Sequence, residues 1–95
     1  MSTQARYVVD AKGKPVLPQA QHDLAQLNPP LRRRIGKRID WLAEHANSIK
    51  HEALSGEWAR FLKFRVGDYR IVYKIAHAEK LIVIYRVRHR REVYD

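Results

Sequence analysis

Cysteine is absent from this chain of 95 residues, which excludes disulfides and thiolate metal sites. A Gly-rich phosphate loop is missing as well, and no Ser/His/Asp arrangement for nucleophilic catalysis can be placed. The five histidines have no ligand spacing with a carboxylate to help, so no metal or other cofactor is expected. His22, His45, His51 and His77 read as surface or loop residues. The N-terminus has no apolar stretch resembling a signal peptide or membrane span, which predicts a cytoplasmic protein. Repeats, linkers and low-complexity segments are also lacking, and a chain this short predicts one domain over residues 1–95.

Acidic side chains are scarce: 10 Asp and Glu stand against 19 Lys and Arg, a formal net charge of +9. Self-repulsion of that size opposes compaction, and it points to a polyanionic partner, most often nucleic acid, with an acidic protein or a membrane surface as competitors. The 45% hydrophobic fraction is nevertheless enough for a packed core.

Along the chain, "RYVVD" (6–10) reads as a first strand and "AKGKP" (11–15) as a turn. Pro18 opens a short helix in which Ala20, Leu24 and Leu27 recur at helical spacing. Asn28, as an N-cap before Pro29 and Pro30, starts a second helix. Its apolar stripe is Leu31, Ile35, Ile39, Leu42 and Ala46, with Arg32, Arg33, Arg34, Lys37 and Arg38 largely outside it. Residues 47–57 read as a loop. "WARFLKFRV", "YRIVYKIAH" and "KLIVIYRVR" then read as three strands, and a helical hairpin on one face of an antiparallel sheet is the natural α+β layering, in the order β-α-α-β-β-β. "KLIVIY" is apolar on both faces, which predicts a strand inside the sheet.

Gly67-Asp68 suits a two-residue type II′ turn, which pairs Val66 with Tyr69, Arg65 with Arg70, Phe64 with Ile71 and Lys63 with Val72. One face then carries Leu62, Phe64, Val66, Tyr69, Ile71 and Tyr73 for the helices to cover. The other carries Phe61, Lys63, Arg65, Arg70, Val72 and Lys74. Like charges directly opposite in a ladder are destabilising, so Arg65 facing Arg70 asks for a reason. Two neighbouring guanidinium groups can fork onto one phosphate, with Lys63 one repeat along. A solvated face whose cations discourage edge pairing is the competing explanation. The ending "YRVRHRREVYD" (85–95) brings Arg86, Arg88, His89, Arg90, Arg91 and Tyr94 beside this face.

RNA carries its own nucleophile, the 2′-hydroxyl. Cleavage therefore needs a proton acceptor, cations for the developing phosphorane charge, and an acid for the 5′-oxygen. Lys63, Arg65, Arg70, His89, Arg90 and Tyr94 suit that reaction, and Tyr94 is also suited to stack on an unpaired base. Lys74, Arg88 and Arg91 add phosphate-binding charge. Lys63, His89 and Tyr94 all remain candidates for the proton acceptor.

"LSGEWARFLKFRVGDYRIVYKI" followed by "KLIVIYRVRHRREVY" resembles the RelE branch of the RelE/ParE toxin superfamily, over about residues 18–95. This resemblance implies a small sheet carrying two N-terminal helices, and a toxin of a toxin–antitoxin pair that cuts mRNA on the ribosome. It also implies neutralisation by an acidic antitoxin wrapped over the basic surface. Matched position by position, Arg70 and Arg90 would contact the scissile phosphate, Lys63 would act as base or charge stabiliser, Tyr94 would position the base or assist proton transfer, and His89 would be a further acid or base. Phe61 departs from the pattern, because some ribonuclease relatives place a second lysine there, and the segment "DAKGKPVLP" is longer than usual. The alternatives are a gyrase-poisoning toxin like ParE, which shares the fold, and a basic RNA-binding module without catalysis.

Overall fold

The chain is described here from a computed structural model, which covers residues 16–92. The expected strand at 6–10 and Tyr94 lie outside the described residues. Helix α1 (Pro18–Ala25) and helix α2 (Pro29–Glu44) both begin on proline, whose fixed φ and missing N–H suit a first turn. Asn28 caps α2 as expected, its side-chain oxygen accepting the Leu31 N–H at 3.0 Å. The stripe of α2 is buried at Ile35, Ile39, Leu42 and Ala43, while Arg32, Arg33 and Arg34 stay in solvent. No helix among the described residues is long and apolar enough to cross a membrane.

Four antiparallel strands follow in the order β1 (Glu52–Ala53), β2 (Leu62–Val66), β3 (Tyr69–Ala76) and β4 (Leu81–His89), and they lie side by side in that order. Strand β1 was not foreseen, since it falls within the expected loop and has only two residues. The expected strand start at Trp58 is also corrected. Gly56–Trp58 forms a 3₁₀ turn, and the Phe61 N–H donates to the Trp58 carbonyl at 2.9 Å, so the chain straightens only at Leu62. Gly56 enters that turn at φ 66, a left-handed conformation open to glycine without a Cβ penalty.

The β2–β3 register is the expected one, Val66 with Tyr69 through Lys63 with Val72. Gly67 has φ 58 while Asp68 is not in the left-handed region, the sign pattern of a type II′ turn. Val66, Ile71 and Tyr73 are accordingly buried beneath the helices, with Leu62, Phe64 and Tyr69 packed around them.

Strand β4 contains the feature that sets the site. Tyr73 pairs with Ile84 but Val72 pairs with Arg86, so Tyr85 is an extra residue in a β-bulge. Simple alternation from Ile82 and Ile84 would send Arg86 and Arg88 into the core and Val87 outward. The bulge reverses the parity, so Val87 joins the core cluster and Arg88 falls opposite Arg70. Strand β4, expected inside the sheet, pairs with β3 along one edge and at Ile84 meets Val16 on the other, in an isolated parallel bridge. Its apolar run is used on both faces: Ile82 and Ile84 face the helices, while Tyr85 packs on the opposite face against Phe61.

Candidate functional site

Three strands bring three arginines into one line. Arg65 on β2 is the direct partner of Arg70 on β3, and Arg70 is the direct partner of Arg88 on β4. All three share the face away from the helices. Directly opposed side chains in an antiparallel sheet have Cβ atoms about 4.5–5.5 Å apart, so the three side chains leave the sheet within a strip roughly 10 Å wide. One side-chain repeat along the same face lies a second row, Lys63, Val72 and Arg86. Lys63 has Glu52 as its direct neighbour on β1.

The β2–β3 turn closes one end of the strip and gathers further cations. The Arg90 N–H donates to the Asp68 carbonyl at 2.7 Å, which folds the 3₁₀ turn Arg90–Glu92 back onto the hairpin. Arg90 Nε also approaches Asp68 Oδ1 at 3.9 Å, a solvent-exposed pair of small energetic weight. From α2, the Arg34 guanidinium covers Gly67, where an added Cβ would meet it at 3.5 Å. Arg91 is exposed beside Arg90. Thus Arg65, Arg70, Arg88, Arg90 and Arg91 gather at the turn end of the sheet, joined by Arg34, which no sequence pattern singles out.

Lys74, expected to bind phosphate, stands further along the same face. Its Nζ lies 4.5 Å from the centre of the Phe61 ring and 5.6 Å from that of Tyr85. His89 falls on the other face of the sheet from Arg65 and Arg70. It pairs with Tyr69, on the helix side, and meets that ring edge-on at 5.3 Å. The Arg91 N–H donates to His89 Nδ1 at 3.3 Å, so in neutral His89 the proton resides on Nε2. Of the candidates for proton transfer, Lys63 therefore shares the face of Arg70, His89 occupies the other face, and Tyr94 lies outside the described residues.

Beside His89 is a cavity of about 380 Å³ lined in part by His22, Asp23, Tyr69, Arg86 and Arg88. Here an ion pair that sequence reasoning missed fixes α1 to β4. Arg86 donates from Nε and Nη2 to the two Asp23 oxygens at 2.8 and 3.1 Å, and the Val87 N–H donates to the same carboxylate at 2.9 Å. Burial raises the Asp23 carboxyl, but the Arg86 hydrogen bonds, the Val87 N–H and the charges of Arg86 and Arg88 outweigh burial and hold it below its ordinary value. No local spacing signals a partner 63 residues away.

Two of the histidines read as surface or loop residues with a structural or incidental role make structural contacts. His45 stacks on Trp41 with ring centres 4.2 Å apart. His51 Nε2 sits 2.8 Å from the Ala46 carbonyl, which only accepts, so this nitrogen carries the proton and Nδ1 accepts from the Tyr73 hydroxyl at 2.5 Å. Among the described residues no three His, Asp or Glu side chains are placed to hold a metal ion.

The sequence matches the family described as the ParE toxin of the type II toxin–antitoxin system parDE over residues 16–94. No curated protein sequence matches it. Its fold is similar to a chain in the RelBE2 toxin–antitoxin complex of Mycobacterium tuberculosis, with a TM-score of 0.75 and 26% identity over 90% of this chain and 99% of that one. It is also similar to a chain of the archaeal RelE–RelB complex of Pyrococcus horikoshii, with a TM-score of 0.63 and 22% identity over 82% and 93%. A chain of the RelB–RelE complex of Methanococcus jannaschii gives a TM-score of 0.57 and 23% identity over 80% and 89%.

Proposed function

This chain belongs to the ParE toxin family of type II toxin–antitoxin systems, within the RelE/ParE superfamily, and from that premise we propose that it is a ribosome-dependent mRNA endoribonuclease of the cytoplasm. The observation that carries this proposal is the Arg65–Arg70–Arg88 line. Three like charges on adjacent strands oppose folding and are explained by an anion that they share.

In the proposed reaction the 2′-oxygen attacks the adjacent phosphorus, the bond from phosphorus to the 5′-oxygen breaks, and a 2′,3′-cyclic phosphate and a 5′-hydroxyl result. One group takes the 2′-hydroxyl proton and another returns a proton to the leaving oxygen. Arg70, central in the line, with Arg65, Arg88 and Arg90 around it, stabilises the charge that accumulates on the non-bridging oxygens; losing one such donor typically slows a reaction by roughly 10²–10³-fold. Lys63, on the same face, assists as base or as charge stabiliser, and His89 Nε2–H and Tyr94 are the further proton-transfer candidates. No metal or cofactor enters this scheme. Lys74 and Arg91 extend the field that attracts the RNA. The partner in the resting state is an acidic antitoxin seated on the same cations, as the RelB-bound relatives suggest.

The test is primer extension on an mRNA translated in a reconstituted system, with Arg70→Ala as control. Discrete, ribosome-dependent cuts that the variant fails to make are expected. A second reading, gyrase poisoning, is favoured by the ParE description of the family and by Phe61, which stands where some ribonuclease relatives have lysine. An intact message together with gyrase-dependent DNA breaks would establish it in place of the first. RNA binding without cuts would leave the basic binding module.

A further inference from the structure

The face that carries the arginine line also carries an aromatic cluster for which phosphate chemistry has no use. Phe61 meets Tyr85 edge to face, with ring centres 4.9 Å apart and an interplanar angle of 82°. Trp58 lies tilted against Phe61 at 5.2 Å. Lys74 stands over both Phe61 and Tyr85, and all four side chains are half-buried rather than sealed beneath a helix. Tyr85 reaches this position as the extra residue of the β4 bulge, the same irregularity that turns Arg88 toward Arg70. One backbone device therefore builds both features on one surface.

We propose that Trp58, Phe61 and Tyr85 form a stacking platform for the base of a nucleotide flanking the phosphate held by Arg65, Arg70 and Arg88. This inference rests on the RNA-directed function proposed above and adds the feature that would position the strand. The spacing suits it: Lys74 and Arg70 lie four residues apart on β3, about 13 Å at the rise of a strand, so one surface holds a phosphate at one end and a base at the other. Stacking on aromatic rings tolerates every base, because each has a π-face, and a cation beside the rings strengthens the attraction. Single-stranded RNA is the ligand class in which bases are unpaired and available to such a surface.

The full-length protein is titrated at low salt with a fluorescently labelled single-stranded RNA pentamer, and with the same pentamer made abasic at every position but the labelled end. The wild type is expected to bind the base-bearing strand about 5- to 150-fold more tightly, the range that base–aromatic stacking supplies per base. Phe61→Leu combined with Tyr85→Leu keeps the apolar bulk but removes the π-faces; it brings the two affinities within about twofold while leaving abasic binding unchanged, and Tyr85→Phe keeps the preference. A crosslink from 4-thiouridine RNA to Phe61, Tyr85 or Trp58, mapped by mass spectrometry on the wild type, reports the same contact without any variant. Arg70→Ala weakens both strands alike. A preference that survives in the double leucine variant, or crosslinks confined to other residues, overturns the platform while the Arg70 effect still upholds RNA binding. Loss of the Arg70 effect, or no binding of either strand, overturns the RNA-directed function as well.

Discussion

On the helix-covered face of the sheet, Ile71, Tyr73, Ile82, Ile84 and Val87 pack against Ile35, Ile39 and Leu42, and the polar atoms among them are matched, the Tyr73 hydroxyl by His51 and the Val87 N–H by Asp23. Among the described residues no buried side-chain nitrogen or oxygen lacks a partner. On the opposite face Arg65, Arg70 and Arg88 stand directly side by side and aromatic rings remain half-exposed. The strands are shared, so the difference lies in what each set of side chains is arranged to meet. One face is packed beneath the helices, and the other carries the cations that the proposed function assigns to an anion.

This contrast is sharpened most by cutting into the covered face. Leu42→Ala, at a fully buried position, is expected to cost about 2–5 kcal/mol, a fall in Tm of roughly 10–30 °C by calorimetry for a domain of this size. Arg70→Ala is the converse experiment. It should lower cleavage by about 10²–10³-fold and yet leave Tm unchanged or raised by a degree or two, because it relieves like-charge repulsion. Destabilisation comparable to that of Leu42→Ala would place Arg70 in the framework and break the comparison.

Asp23→Asn should cost about 1–2 kcal/mol, through the weakened pairing with Arg86 and Val87. The sign of its pH dependence follows from a carboxyl held below its ordinary value: the wild-type advantage is present in full above the unfolded value near 3.8 and is lost as pH falls through the lower folded value. Urea titrations at pH 6, 4 and 3 check this, and a gap that fails to narrow in acid would remove the ion pair as its cause. The smallest effect is expected from Tyr73→Phe, about 1 kcal/mol for the lost hydrogen bond to His51. Burial, with Glu52 nearby, pushes the Tyr73 hydroxyl above its ordinary value of 10.0. The folded chain therefore keeps a proton that the unfolded chain releases, and stability falls as pH rises beyond 10. The phenylalanine variant should lack this part of the alkaline loss, measured by urea titration at pH 8 and 11.

The helix caps, the α2 stripe and the β2–β3 register were legible because each is a local pattern. Asn28 acts on Leu31 within one turn, and the Gly67-Asp68 turn fixes the pairing of Arg65 with Arg70 once alternation is known. Lys63, Arg65 and Arg70 could thus be assigned to one face from sequence. Arg88 was selected for its charge alone, since its place in the line depends on a bulge that no residue in "IYRVR" announces. His89 was grouped with the arginines by proximity in sequence, whereas period-two alternation puts it against Tyr69 on the other side. The partnership of Asp23 with Arg86 and the role of His51 depend on how α1 and the segment after α2 settle on the sheet.

The sequence by itself determined a basic α+β chain, the two helices, the hairpin and its doubled arginine, because periodicity, capping and turn chemistry act over a few residues. Only the tertiary structure decided which cations share a surface, that Tyr85 joins Phe61 there, and that Arg86 is engaged by Asp23. Those outcomes depend on a one-residue shift in strand pairing and on contacts more than sixty residues apart. Such contacts form only when the strand edge and helix that supply them are packed together, and no short-range pattern records that packing.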